Sequence, residues 1–112
     1  VELAVEQVEG VQVVTLAVEH LDAGNSQEFK RAMAPVLEQT RRLVLDLGSL
    51  RFVDSSGLGA ILGVVRGLSD AGGELKLCNL GKQARLVFEL VRMHRIVDIY
   101  HHRGEALASF AA

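Results

Sequence analysis

The stretch that decides the fold is LVLDLGSLRFVDSSGLGAILG, Leu43 to Gly63. Leu43 to Leu47 is almost continuously apolar, the way a strand reads when both its faces are covered inside a parallel sheet. From Gly57 the apolar residues take helical spacing as far as Ala71, and Gly72-Gly73 stops them. A buried strand followed at once by a helix is half of a parallel crossover. Between the two halves stand an aspartate, two serines and a glycine, Asp54 to Gly57.

Upstream, Glu2 to Val8 reads as a strand, Glu9-Gly10 as a two-residue turn and Val11 to Val18 as the hairpin partner. The second strand is apolar on both sides, which places it away from an open edge. The break at Asp22-Ala-Gly-Asn-Ser leads into a helix. Asn25 followed by Glu28 has the form of a capping box, and Phe29, Met33, Val36 and Leu37 share one face. Pro35 inside that helix removes a backbone hydrogen bond and predicts a kink or short break.

Downstream, Leu75 to Cys78 reads as a strand and Lys82 to Arg92 as a helix with Leu86, Leu90 and Met93 on one face. Ile96 to Tyr100 is a last short strand and Glu105 to Ala111 a terminal helix. The order is β-β-α-β-α-β-α-β-α. A hairpin followed by alternating strands and helices implies right-handed crossovers and a mixed sheet in one α/β domain spanning residues 1–112.

The bulk numbers agree with this and exclude several functions. A chain of 112 residues is one domain, and with 4 Phe, 1 Tyr and no Trp its core is aliphatic. The formal charge is −2, from 12 basic and 14 acidic residues, so no basic excess draws the chain to nucleic acid or an anionic membrane. The single cysteine, Cys78, can form no intrachain disulfide or cysteine-type zinc site and reads as a small core residue. No stretch reaches the roughly 20 apolar residues of a membrane span, and none reads as a signal peptide. A cytoplasmic location is expected.

Two readings compete at Asp54-Ser55-Ser56-Gly57. A helix begins with unpartnered N–H groups, and Asp or Ser side chains cap them. On that reading one of the three polar residues is the cap and the rest is turn. Against a cap alone, the segment follows a central parallel strand, where α/β sites gather. The start of a helix also favours an anion, so a phosphate on Ser55 or Ser56 would be tolerated.

Gly59, Gly63 and Gly67 form a stripe at i, i+4, i+8, away from Ile61, Leu62 and Val65. Each interior glycine costs on the order of 1 kcal/mol relative to alanine. Either a neighbouring element packs closely there, or a partner approaches a flat surface.

Enzyme motifs are missing. GLGAILG departs from the dinucleotide spacing G-x-G-x-x-G, and neither a P-loop nor a G-x-S-x-G elbow is present. His20, His94, His101 and His102 lie in no recognisable triad or metal context. We expect no enzyme, no cofactor and no metal.

The residues LVLDLGSLRFVDSSGLGAILG resemble the signature of the STAS domain family, whose name joins sulfate transporters with anti-sigma factor antagonists. LDAGNSQEF, GGELKLCNL and IVDIY extend the resemblance over nearly the whole chain. It implies a STAS-like single domain and, for a free-standing copy, a bacterial anti-sigma factor antagonist. Such a protein binds an anti-sigma factor that is also a serine kinase, and so releases a sigma factor to start transcription. The resemblance assigns Ser55 as the phosphoacceptor, with a serine phosphatase acting on phospho-Ser55.

Asp54 and Ser56 then shape the site, and Asp22 matches a position near the docking surface. Gly57, Gly59 and Gly63 complete the expected partner-binding set. Direct nucleic-acid contact and membrane insertion are not expected, and the oligomeric state stays open. The alternative is a STAS interaction module without phosphorylation, in a lipid or anion transporter or a stress-signalling scaffold. In one departure, Arg92 stands where many relatives have a glycine at the end of the third helix.

Overall fold

The computed structural model describes residues 1–111. Strands β1 (Leu3–Val8) and β2 (Val11–Leu16) form the antiparallel hairpin, in register Val5↔Val14. Glu9 and Gly10 both take positive φ, 50° and 82°, as a tight turn matched to the strand twist requires. Three further long-sheet strands follow: β4 (Arg42–Asp46), β6 (Glu74–Cys78) and β7 (Asp98–Tyr100). The order across the sheet is β1-β2-β4-β6-β7, with every pair after the hairpin parallel. β2 is thus internal, as its two apolar sides require.

Helices α1 (Ser26–Gln39), α2 (Ser55–Asp70) and α3 (Lys82–Leu90) make the three crossovers, and α4 (Arg103–Ala111) closes the chain. The first three helices cover one sheet face. There Leu43, Leu45 and Leu77 meet Phe29, Met33, Ile61, Leu68 and Phe88, all at most 1 % exposed. On the other face Val13, Val44 and Cys78 meet Ala106 of α4, with Leu107 and Phe110 beside them. The strand period of two sends Val44 and Asp46 to the α4 side and their neighbours to the other.

Several expectations are corrected. Two short strands, β3 (His20–Leu21) and β5 (Phe52–Val53), form a separate parallel pair that the sequence pattern did not reveal. At two residues each, they are too short for a readable alternation. Asn25 precedes α1, but its side chain makes no cap. Its Oδ1 accepts from the Asp22 amide and its Nδ2 donates to the His20 carbonyl. Glu28 pairs with the Val1 ammonium instead of closing a capping box. Helix α1 runs unbroken through Pro35, held by the buried Phe29 and Met33.

In α3 the buried residues are Ala84 and Phe88, whereas Leu86 and Leu90 face solvent. The expected apolar face of Leu86, Leu90 and Met93 is therefore not the core face; of the three only Met93 is buried, in the turn of 3-10 helix at Met93–Arg95. Arg92 does occupy the left-handed position that glycine takes cheaply, with φ 60° and ψ 32°, and α3 has ended before it.

Candidate functional site

Helix α2 begins at Ser55, two residues before the sequence suggested, because Asp54 is its cap. Asp54 has extended backbone (φ −103°, ψ −173°), and its Oδ1 accepts from the Gly57 amide at 2.9 Å. Its Oδ2 accepts from the Ala23 amide at 3.1 Å, which ties the loop before α1 to the mouth of α2. The carboxyl is held below its ordinary pKa of 3.8. The Gly57 amide is the main cause, partial desolvation opposes it, and the Ala23 amide adds to the lowering.

The capping role is thus filled by one side chain, and both serines are left over. Ser55 and Ser56 occupy the first two positions of α2 and both are exposed. Among the described residues neither hydroxyl makes a hydrogen bond to the protein.

Asp22 stands across the mouth, in the loop that Asp54 holds. Its Oδ1 accepts from the Gly24 amide at 2.9 Å, its backbone carbonyl accepts from Ser26, and its other carboxylate oxygen lies 3.9 Å from His20 Nε2. This folding of the loop on itself leaves the Asp22 side chain 28 % exposed. Two carboxylates and two hydroxyls therefore cluster around the start of one helix.

The glycines divide by role. Gly57 is buried, and a Cβ there would lie 2.1 Å from the Leu21 carbonyl oxygen and 2.7 Å from Val53 Cγ2. Only glycine lets the first turn of α2 rest on β3 and β5. Gly59 and Gly63 are exposed, and a Cβ on either would meet nothing within 4 Å. At Gly67 the nearest atom would be Leu37 Cδ1, at an ordinary 3.9 Å. Close packing therefore does not account for the stripe. Gly63 lines a mainly apolar groove of about 310 Å³ between α1 and α2, with Met33, Leu37, Ala60 and Val64 in its walls and Lys30 at its edge.

A second polar cluster, invisible in the sequence, lies at the end of β4. Asp46, 6 % exposed, accepts from Asn79 Nδ2 at 2.9 Å and from Arg103 Nη2 at 3.0 Å, and its other oxygen accepts from the Gly48 amide. Arg103 also donates to Glu6 and Thr15. This network binds α4 to three strands, and all its members hold one another, so it is a structural latch. Lys76 is similar: 6 % exposed, within 3.4 Å of Glu74 and Asp98, and 4.8 Å above the Phe110 ring.

His101 lies 3.4 Å from Arg85, and among the described residues no group of three or more His, Cys, Asp or Glu is arranged to hold a metal. No helix among the described residues is long and apolar enough to cross a membrane.

The model of the STAS domain matches residues 2–106. The anti-sigma F factor antagonist of Paenibacillus polymyxa is 32 % identical over 108 residues, covering 95 % of this chain and 92 % of that protein. Among solved structures, an anti-sigma factor antagonist from Mycobacterium paratuberculosis superposes with a TM-score of 0.87 at 22 % identity, over 99 % of this chain and 94 % of that one. The Bacillus cell fate determinant SpoIIAA in its phosphorylated form superposes with a TM-score of 0.70 at 22 % identity, over 97 % of this chain and 99 % of that one.

Proposed function

The chain belongs to the STAS domain family, and from that premise we propose that it is an anti-sigma factor antagonist switched by phosphorylation of Ser55. In this reading the unphosphorylated protein binds an anti-sigma factor serine kinase and displaces a sigma factor. The kinase then phosphorylates Ser55, the complex dissociates, and a serine phosphatase resets it. The observation that carries the proposal is the division of labour at the mouth of α2: Asp54 satisfies the helix start, while the Ser55 hydroxyl is exposed and unbonded. A hydroxyl without a structural task can be modified without loss of structure.

The similarity to the P. polymyxa antagonist supports the same reading, since it runs over almost the full length of both chains. SpoIIAA, which has this fold, exists in a phosphorylated form.

The physics is sufficient for a switch. A phosphate adds about −1.5 to −2 charges. At the first position of α2 the helix dipole favours it, so the fold changes little. A partner carboxylate about 4 Å away would be repelled by up to ~4 kcal/mol per charge pair at an effective dielectric near 20. Solvent screening reduces this, but each ~1.4 kcal/mol is tenfold in affinity. The docking surface in this reading comprises Asp22, Ser55, Ser56, Gly59 and Gly63. Asp54 and Gly57 contribute by holding the loop and seating the helix.

The test is intact mass with peptide mapping of the protein isolated from its native cells, beside a Ser55→Ala variant. A fraction heavier by one phosphate, mapped to Ser55 and absent from the variant, is expected. Phosphate on another residue, or none under any growth condition, would overturn the proposal.

A further inference from the structure

The outer side of α3 carries a surface that the mouth of α2 does not use. Leu86 and Leu90 are one helical turn apart, 53 % and 81 % exposed, and face away from the buried Ala84 and Phe88. Val91, 50 % exposed, follows the helix directly, and Ile96, 55 % exposed, comes at the end of the next turn, where it borders a cavity beside α2 and β6. A scattered exposed leucine needs no explanation, but four large aliphatic side chains within one helix and its following turn form a patch of the kind that marks an interaction site.

The charges on α3 and the turn after it are one-sided, and the two carboxylates that share a cavity with Ile96, Glu74 and Asp98, are both held by Lys76. From Lys82 to Arg95 the cations are Lys82, Arg85, Arg92 and Arg95 and the only anion is Glu89, a net of +3 in a chain whose total is −2. Among the described residues none of these five is in an ion pair, whereas Arg51, Lys76 and Arg103 all are. Unpaired cations around an apolar centre select an acidic counterpart. Two further points narrow the occupant. A second copy meeting this face with its own would bring like charges together. Glu89 lies on the outer side of α3 with the leucines, where a protein can pair it with a cation and an anionic bilayer offers it no partner.

We propose that the outer face of α3 and the turn after it dock a second protein through an apolar cleft with a mainly acidic rim. This does not rest on phosphorylation of Ser55, and none of its residues belongs to the α2 mouth.

The test places the photo-crosslinker p-benzoylphenylalanine at position 90 of the full chain in its native cells, with Gln7 on β1 as the control position. Adducts are identified by peptide mass spectrometry. The expected adduct is a peptide of a different protein, apolar at its centre and net acidic. Its yield should fall about fivefold or more with Arg92→Glu plus Arg95→Glu, and fall again as salt is raised. Melting curves check that each variant folds. If the change at Arg92, which holds a left-handed backbone, does not fold, Lys82→Glu plus Arg95→Glu replaces it. No adduct above the Gln7 control would overturn the proposal, as would an adduct with a second copy of this chain or a peptide without acidic character. Cosedimentation of the purified protein with phosphatidylglycerol vesicles, lost in Leu90→Ser, would overturn it in favour of a membrane.

Discussion

The backbone amide of Ala23 donates to Oδ2 of Asp54 at 3.1 Å, across 31 positions of sequence. The same carboxylate caps α2 through Gly57. One side chain therefore sets both the start of the helix and the position of the loop that carries Asp22.

Loss of that carboxylate should show at both places. Asp54→Ala is expected to lower the melting temperature and to raise hydrogen exchange at the amides of Ala23 and Gly57 together. Asp54→Asn, which keeps an acceptor, should retain most of the cap. Because the folded pKa lies below 3.8, the stabilisation is complete above that pH and is lost as pH falls through the folded value. Melts between pH 5 and pH 2 should therefore flatten in Asp54→Asn. Exchange that changes at only one of the two amides would contradict the link.

The glycines of α2 should respond in opposite directions. Gly57→Ala must displace the Leu21 carbonyl, so it is expected to destabilise by about 2–4 kcal/mol, as overpacking against backbone does. Gly59→Ala and Gly63→Ala meet open space and should each stabilise by roughly 0.5–1 kcal/mol through helix propensity. Urea unfolding of the three variants decides this. If Gly59 and Gly63 belong to the docking surface, the two stabilised proteins should bind the anti-sigma factor more weakly than the parent.

Arg103 is the hinge pin of the polar network under α4. Arg103→Ala leaves Asp46 buried with only Asn79 and Gly48 as partners, and about 1–3 kcal/mol of destabilisation is expected. The lower part of that range applies because the Arg103 side chain is 35 % exposed and solvent can replace part of its contact. Asp46→Asn together with Arg103→Leu should recover much of the loss, since it removes the uncompensated charge. Denaturant curves of the single and double variants make the comparison.

Alkaline pH should weaken the fold through two groups. Burial pushes the Cys78 thiol up to about 12, from an ordinary 9.0. Between those values the folded chain keeps a proton that the unfolded chain loses, so stability falls as pH rises above about 9, at up to ~1.4 kcal/mol per pH unit. Lys76 is raised above 10.5 by Glu74, Tyr100 and Asp98, although burial pulls the other way. Its stabilisation is complete below that pH and is lost as pH rises through the folded value. Cys78→Ala should remove the slope between pH 9 and 10 while leaving the steeper loss above it. In the folded protein at pH 8, iodoacetamide should label Cys78 no faster than the chain opens.

Much of this was legible in the chain itself. The continuous apolar run of Leu43 to Leu47 identified a central parallel strand, because only a strand covered on both faces dispenses with alternation. The helical spacing after Gly57 and the Gly72-Gly73 stop located α2 to within two residues. The hairpin turn at Glu9-Gly10 was equally clear, since few residues tolerate its backbone. The resemblance carried by Asp54-Ser55-Ser56-Gly57 pointed to the STAS family, and the family model matches the chain.

Other features could not be read this way. In α3 both faces are apolar, so periodicity alone favoured Leu86 and Leu90, and the sheet chose Ala84 and Phe88 instead. Asn25 and Glu28 have the pattern of a capping box, but nearby backbone competed for the Asn25 side chain and won.

The sequence by itself determined the five strands of the long sheet and the four helices, their order, and the presence of a serine pair at a helix start. Those properties follow from local backbone preference and from the spacing of apolar side chains. Tertiary structure decided that Asp54 alone is the cap and that both serines are exposed. It also decided that Gly57 is a packing necessity while Gly59 and Gly63 are open, and that Asp46 needs Arg103. The physical reason is distance along the chain: Ala23 meets Asp54, Leu21 meets Gly57 and Arg103 meets Asp46 only after the sheet has formed, so no local pattern records those contacts.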